Sequence, residues 1–206
     1  MDSFSFSSAY VLNLKDLIFH FKWVKIRLEE KNQQNLIPFH DTYFLITQSV
    51  SSKIGTGFFE NDETMRIFVI SFARFYFDAL DKYFRGETSS SAWQFMFNHS
   101  EKNHLPRFLY LLLGVHAHIN QDLSVCIKEL GFGDAFNKDY LAINEIIKGK
   151  LAVAITQLNE KSAFLKALLE HGFCCYQWPM HKIIVFCRNI AWYKSQISAE
   201  SALAFA

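Results

Sequence analysis

Glycine and proline are scarce, at 8 and 3 of 206 residues. That argues against a turn-rich all-β chain and against a low-complexity linker, both of which depend on turn formers. An excess of one charge is also missing: 21 Lys and Arg face 20 Asp and Glu, a net +1. A protein that grips nucleic acid through phosphates carries a basic excess, so no nucleic-acid partner is expected. A disordered acidic tail is excluded on the same count. Cysteine is limited to Cys126, Cys174, Cys175 and Cys187, with no C-x-x-C pair. Reduced, mostly buried thiols are the expectation, rather than a disulfide framework or zinc finger. Long apolar runs are absent too. Phe108 to Val115 is the most apolar stretch, and a membrane span needs about 18–20 such residues. Met1 to Tyr10 has no basic segment leading into an apolar one, so it does not read as a secretory leader. A soluble, cytoplasmic protein is expected. There is no internal repeat, P-loop, G-x-G-x-x-G, G-x-S-x-G or H-E-x-x-H.

What the chain has in quantity is aromatic and aliphatic surface. Phe alone accounts for 22 residues, with 8 Tyr and 4 Trp, and half of the chain is apolar. At about 100–200 residues per domain, residues 1–206 fit one domain. Apolar residues recur at helical spacing almost throughout, and strand-like alternation is nowhere sustained. The reading is an all-α bundle of about six to eight helices around a long central one. The first helix spans Tyr10 to Glu30. The second has Pro38 in its first turn and runs to about Lys53. The third, capped by Asn61 or Asp62, runs from Glu63 to Phe84. A short helix follows from Ala92 to Asn98, with capping-box spacing at Ser91 to Gln94. The central helix runs from Leu105 to Leu130. Later helices cover Lys138 to Leu158, Ser162 to Glu170 and a last stretch from Trp178-Pro179 to Ile197.

The central helix contains Gly114-Val-His-Ala-His-Ile-Asn-Gln-Asp-Leu123. At about 100° per residue, Phe108, Leu112, Val115, Ile119, Leu123, Cys126 and Ile127 share a broad core face, with Ala117 opposite. His116 and Asn120 are an i,i+4 pair at one border of that face. His118 and Asp122 are a second pair at the other. Either pair supplies two metal ligands or a histidine with its orienting partner. It is equally an ordinary polar contact between helices. A straight α-helix points the two pairs in nearly opposite directions, so all four do not meet on one ion.

The run L-L-L-G-V-H-A-H-I-N-Q-D-L resembles the hallmark of an uncharacterised, mostly bacterial family, domain of unknown function 5995. Ala117, His118, Ile119, Asn120, Asp122 and Leu123 match its A-H-I-N-x-D-L pattern. His116 departs from it, since Asn is more usual there. Phe72-Ala-Arg-Phe-Tyr76 with Ala79-Leu80, Trp93 with Phe97, Asp139 with Asn144, and Arg188 with Trp192 also look alike. The likeness spans about residues 40–195. It implies an all-α single domain and no particular reaction.

Other polar residues stand out against apolar surroundings. Arg74 and Asp78 are spaced i,i+4 on an aromatic helix, either as an ion pair or as an anchor for an anionic ligand group. Asp139 reads as a carboxylate near a helix start, or as a third ligand beside His118 and Asp122. Arg188 is expected to pair with a carboxylate of the central helix. The functional expectation is an enzyme acting on a small hydrophobic metabolite of lipid, polyketide or isoprenoid type. His118, oriented by Asp122 and helped by Asn120 and His116, would run acid/base chemistry such as cyclisation, isomerisation or hydrolysis. Arg74, Asp78, Trp93, Phe72, Tyr76, Arg188 and Trp192 would line the substrate site. No cofactor is required by this reading. Its alternatives are a hydrolase or oxygenase with a divalent metal on His118, Asp122 and Asp139, and a non-catalytic binder of an apolar ligand. The oligomeric state is not legible.

Overall fold

The computed structural model describes residues 6–160 and 177–197. They are helical throughout, with no strand among them. After a 3₁₀ turn at Ser8–Tyr10, the helices are α1 (Leu14–Glu30), α2 (Ile37–Ser51), α3 (Asp62–Phe84) and α4 (Ser91–Lys102). A continuous rod follows, made of α5 (Arg107–Ala117), a π-helical segment (His118–Leu123) and α6 (Ser124–Glu129). Last come α7 (Asp134–Glu160) and α8 (Gln177–Gln196). The expected helix at residues 162–170 and the thiols of Cys174 and Cys175 lie outside the described residues.

The helix ends follow the local chemistry. Asn13 caps α1, its side-chain oxygen accepting from the backbone N–H groups of Lys15 and Asp16. Asn61, not Asp62, caps α3 by accepting from the Thr64 N–H at 2.9 Å. Pro38 sits in the first turn of α2, where its missing N–H costs nothing. Gly86 and Gly131 stop α3 and α6 with φ of +71° and +65°, values that side-chain-bearing residues avoid. Two boundary expectations need correction. Helix α4 begins at Ser91 with Ser90 as an N-cap that makes no side-chain cap bond, so the capping box does not form. Helix α7 begins at Asp134, not Lys138.

The rod packs against α2, α3, α4 and α8, which makes it the centre of the bundle. Its buried residues are Phe108, Tyr110, Leu111, Gly114, Ala117, His118, Ile119, Asp122, Leu123, Cys126 and Ile127. Ala117 is thus fully buried instead of opposite the core. The inward face of α5 itself runs through Leu111, Gly114 and Ala117. Beyond it, the i→i+5 bonding of the π segment accommodates one extra residue in a turn. At Gly114 the rod and α2 come so close that a Cβ would stand 2.3 Å from Phe39 Cγ. Glycine is the residue that permits this approach. Elsewhere the core is largely aromatic. Phe21, Phe39, Phe68, Phe77, Tyr76, Trp93, Phe97 and Tyr140 are all buried, in tilted, T-shaped and stacked pairs. No helix of the described residues is long and apolar enough to cross a membrane.

Candidate functional site

The π segment carries His118 and Asp122, both on its buried side. His118 Nδ1 lies 3.1 Å from Asp122 Oδ2. The same oxygen accepts the indole N–H of Trp93 at 2.8 Å, delivered from α4. A carboxylate oxygen accepts, so the proton of this bond sits on Nδ1 and leaves Nε2 as a bare lone pair. Nε2 is buried and meets no hydrogen-bond partner among the described residues. Burial is the main influence on this imidazole and lowers its pKa; Asp122 pulls the other way, and the charge of Arg188 lowers it further. The ring is therefore neutral at pH 7, with one nitrogen held and one available.

Aromatic rings fix the imidazole in place. Phe72 from α3 stacks on it at 3.8 Å between centroids and 15° between planes. Tyr43 from α2 lies at 4.2 Å and Phe39 at 5.7 Å. Burial pushes the phenol of Tyr43 well above its ordinary pKa, so it stays protonated.

His118 lines a cavity of about 80 Å³ between α2, α3, the rod, α7 and α8. Its walls are nearly all apolar: Ile46, Val50, Phe68, Val69, Ile143, Ile147, Leu151 and Ile184 among them. Arg188 is the charged residue in that wall. It is 3% exposed. Its Nε donates to Asn144 Oδ1 at 2.8 Å and one Nη to the Tyr140 carbonyl at 2.9 Å. The guanidinium also stands 4.2 Å from the centre of the Tyr140 ring. Tyr140 returns a bond from its hydroxyl to the Arg188 carbonyl at 2.7 Å.

The structure sorts the residues singled out by sequence. His118, Phe72 and Arg188 line the cavity, and Asp122 and Trp93 support His118 from behind. His116 and Asn120 are exposed, so the second i,i+4 pair does not join the first. Tyr76 donates its hydroxyl to His40 Nδ1 at 3.0 Å, away from the cavity, while His40 Nε2 is 3.0 Å from the Phe21 carbonyl. Trp192 packs on Tyr140 at 5.0 Å. Arg74 and Asp78 do not pair with each other. Arg74 donates to the Val11 carbonyl and Asp78 accepts from the Ser8 N–H, so the two fasten the N-terminal segment to α3. Arg188 does not meet a carboxylate of the rod, contrary to expectation; its partners are the amide and carbonyl oxygens of α7.

Asp139 is also corrected. Its two oxygens accept the backbone N–H groups of Glu60 and Asn61, at 2.7 and 2.9 Å. It ties down the chain entering α3 and is committed there, so it does not complete a ligand set with His118 and Asp122. Among the described residues no three His, Cys, Asp or Glu side chains come together as a metal site would require.

Sequence reasoning missed Phe39, Tyr43, Thr47, Ile143, Ile147 and Ile184 as cavity residues. Each lies on an ordinary apolar stripe, and only the packing of α2, α7 and α8 turns those stripes toward one space.

The model of the Family of unknown function (DUF5995) matches residues 16–204, and the chain belongs to that family. No curated protein and no solved structure matches the chain.

Proposed function

We propose that the protein is an enzyme acting on a small hydrophobic metabolite held in the cavity, with His118 as its general acid/base. The observation that carries this reading is the asymmetry of the His118 ring. Nδ1 is held by Asp122, Nε2 is a buried lone pair without a partner among the described residues, and the residue lines the cavity. A base needs a fixed tautomer, a neutral state at working pH and a substrate space beside it. Asp122 supports the first, desolvation the second and the apolar walls the third. Trp93 keeps Asp122 in place and so acts as a positioning residue. Proton transfer at Nε2 suits isomerisation, cyclisation or hydrolysis of a substrate whose reacting atom lies at that wall.

The metal reading is weaker in geometry. Asp122 Oδ2 already accepts two N–H groups, an arrangement that orients a histidine rather than one that shares an ion with it.

The test begins with organic extraction of purified protein and mass spectrometry of the extract. The extract is then incubated with wild type and with His118→Ala. Conversion by wild type that is lost in a folded His118→Ala supports the enzyme. Equal conversion by both overturns it. Ligand bound by both and converted by neither makes the protein a binder. Near-stoichiometric zinc, iron or manganese that disappears in the variant would favour the metal alternative.

A further inference from the structure

Arg188 is a buried cation that no neighbour among the described residues neutralises. Among the described residues no carboxylate forms an ion pair with it. Its partners are an amide oxygen, a carbonyl oxygen and a ring face, all uncharged. Two of its five N–H groups are used in these bonds. A guanidinium taken out of water at 3% exposure is costly unless an anion joins it. Desolvation already lowers its pKa, though the group remains charged. It also lies in the same cavity wall as His118 and close enough to lower the imidazole pKa.

We propose that the cavity takes an amphipathic monoanion, a hydrocarbon body ending in a carboxylate that pairs with Arg188. This rests on reading the cavity as the ligand site. The two ends of such a molecule match the two kinds of wall. Ile46, Val50, Ile147, Leu151 and Ile184 offer the hydrocarbon only dispersion and burial. The remaining N–H groups of Arg188 offer the head group charge-assisted hydrogen bonds. Charge count favours a carboxylate over a phosphate ester. One guanidinium balances one negative charge, whereas a phosphate monoester carries about −1.5 to −2 at pH 7. The anchor role expected of Arg74 thus belongs to Arg188. Arg74 gives one N–H group to the Val11 carbonyl and lies outside this cavity. With its carboxylate at Arg188, the molecule would present its neighbouring carbons to the wall that holds His118, where a proton next to a carboxyl group can be removed or returned.

The experiment compares three probes of equal chain length by titration calorimetry on the full chain: octanoate, 1-octanol and octyl phosphate. Octanoate is expected to bind about tenfold more tightly than octanol, the worth of one charge-assisted contact. It is also expected to bind more tightly than octyl phosphate. In Arg188→Met the preference over octanol should vanish while octanol binding stays within about twofold. Because that variant removes a buried group that also joins α7 to α8, a second readout uses wild type alone. The Arg188 side-chain ¹⁵N–¹H signals should move on adding octanoate and not on adding octanol. Octanol binding as tightly as octanoate, or silent Arg188 signals, overturns the monoanion and leaves the apolar cavity intact as a ligand site. Tighter binding of octyl phosphate overturns the carboxylate in favour of a phosphoryl head. Failure of all three probes to bind overturns the ligand site itself.

Discussion

Trp93 and His118 donate to one and the same oxygen, Oδ2 of Asp122, one from α4 and the other from a turn away on the rod. The carboxylate is therefore a shared acceptor for two buried N–H groups. Asp122→Ala would leave both without a partner, at about 1–3 kcal/mol each. Asp122→Asn keeps an oxygen in that place and should cost less. It removes the charge that raises the imidazole pKa, so His118 should become still harder to protonate. Histidine ¹⁵N spectra through a pH titration check both points: wild type should show Nδ1 protonated and Nε2 bare at pH 7.

Acid should weaken the fold through its histidines before the carboxylates titrate. His40, His118 and His20 all have lowered pKa values, with burial as the main cause, and His40 falls to about 3. The unfolded chain takes up protons near the ordinary value of 6.5 while the folded chain does not. Stability is thus unaffected by these groups above about pH 6.5 and declines as pH falls below it, continuing toward pH 3 for His40. One such proton is worth about 1.4 kcal/mol per pH unit. Urea midpoints at pH 7.5, 6.0 and 5.0 should fall steadily, and a flat series would contradict the burial of these rings.

Gly114→Ala should destabilise the bundle despite alanine's better helix propensity. The new methyl would overlap the Phe39 ring, whose nearest atom would be 2.3 Å away. Overpacking of this kind costs about 1–3 kcal/mol, more than the ~1 kcal/mol gained in propensity. The melting temperature should drop, and Phe39→Leu in the same chain should restore part of the loss. Because Phe39 also lines the cavity beside His118, the single variant should weaken ligand binding as well.

Asp139→Ala should loosen the entry to α3 without touching the cavity. Two backbone N–H groups lose their acceptor. Hydrogen exchange at Glu60 and Asn61 should accelerate, with binding and His118 spectra unchanged. Loss of a bound metal in this variant would instead revive Asp139 as a ligand.

The helical architecture and the pairing of His118 with Asp122 were readable because both are local. Apolar spacing sets the helices, and an i,i+4 pair meets on any helical turn. The same logic placed His116 and Asn120 on a border of the core, where they are in fact exposed, and Ala117 on the outside, where it is buried. The π segment has no signature in residue type, and its backbone angles at Ala117 and Ser124 are ordinary helical ones. Asp139 and Arg188 failed for a different reason. Their partners lie 78–79 and 44–48 residues away, and spacing along a chain does not say which distant backbone groups lack an acceptor. The cavity itself was legible only as an abundance of apolar side chains.

The π segment makes the central rod a coupling between two differently oriented halves. Helix α5 is addressed to α2 and α4, whereas α6 is addressed to α8 and α3. The wide turn takes up the extra residue between those two addresses. Removing one codon there, at Gln121 for instance, would leave every helix able to form and every named side chain but that one present. The wide turn would then close as an ordinary α-turn, and the downstream half would keep nearly its present orientation, so Cys126 and Ile127 keep their contacts together with those of Leu111 and Gly114. A one-residue deletion should therefore be tolerated by the packing better within His118–Leu123 than within α5 or α6, where no wide turn absorbs it.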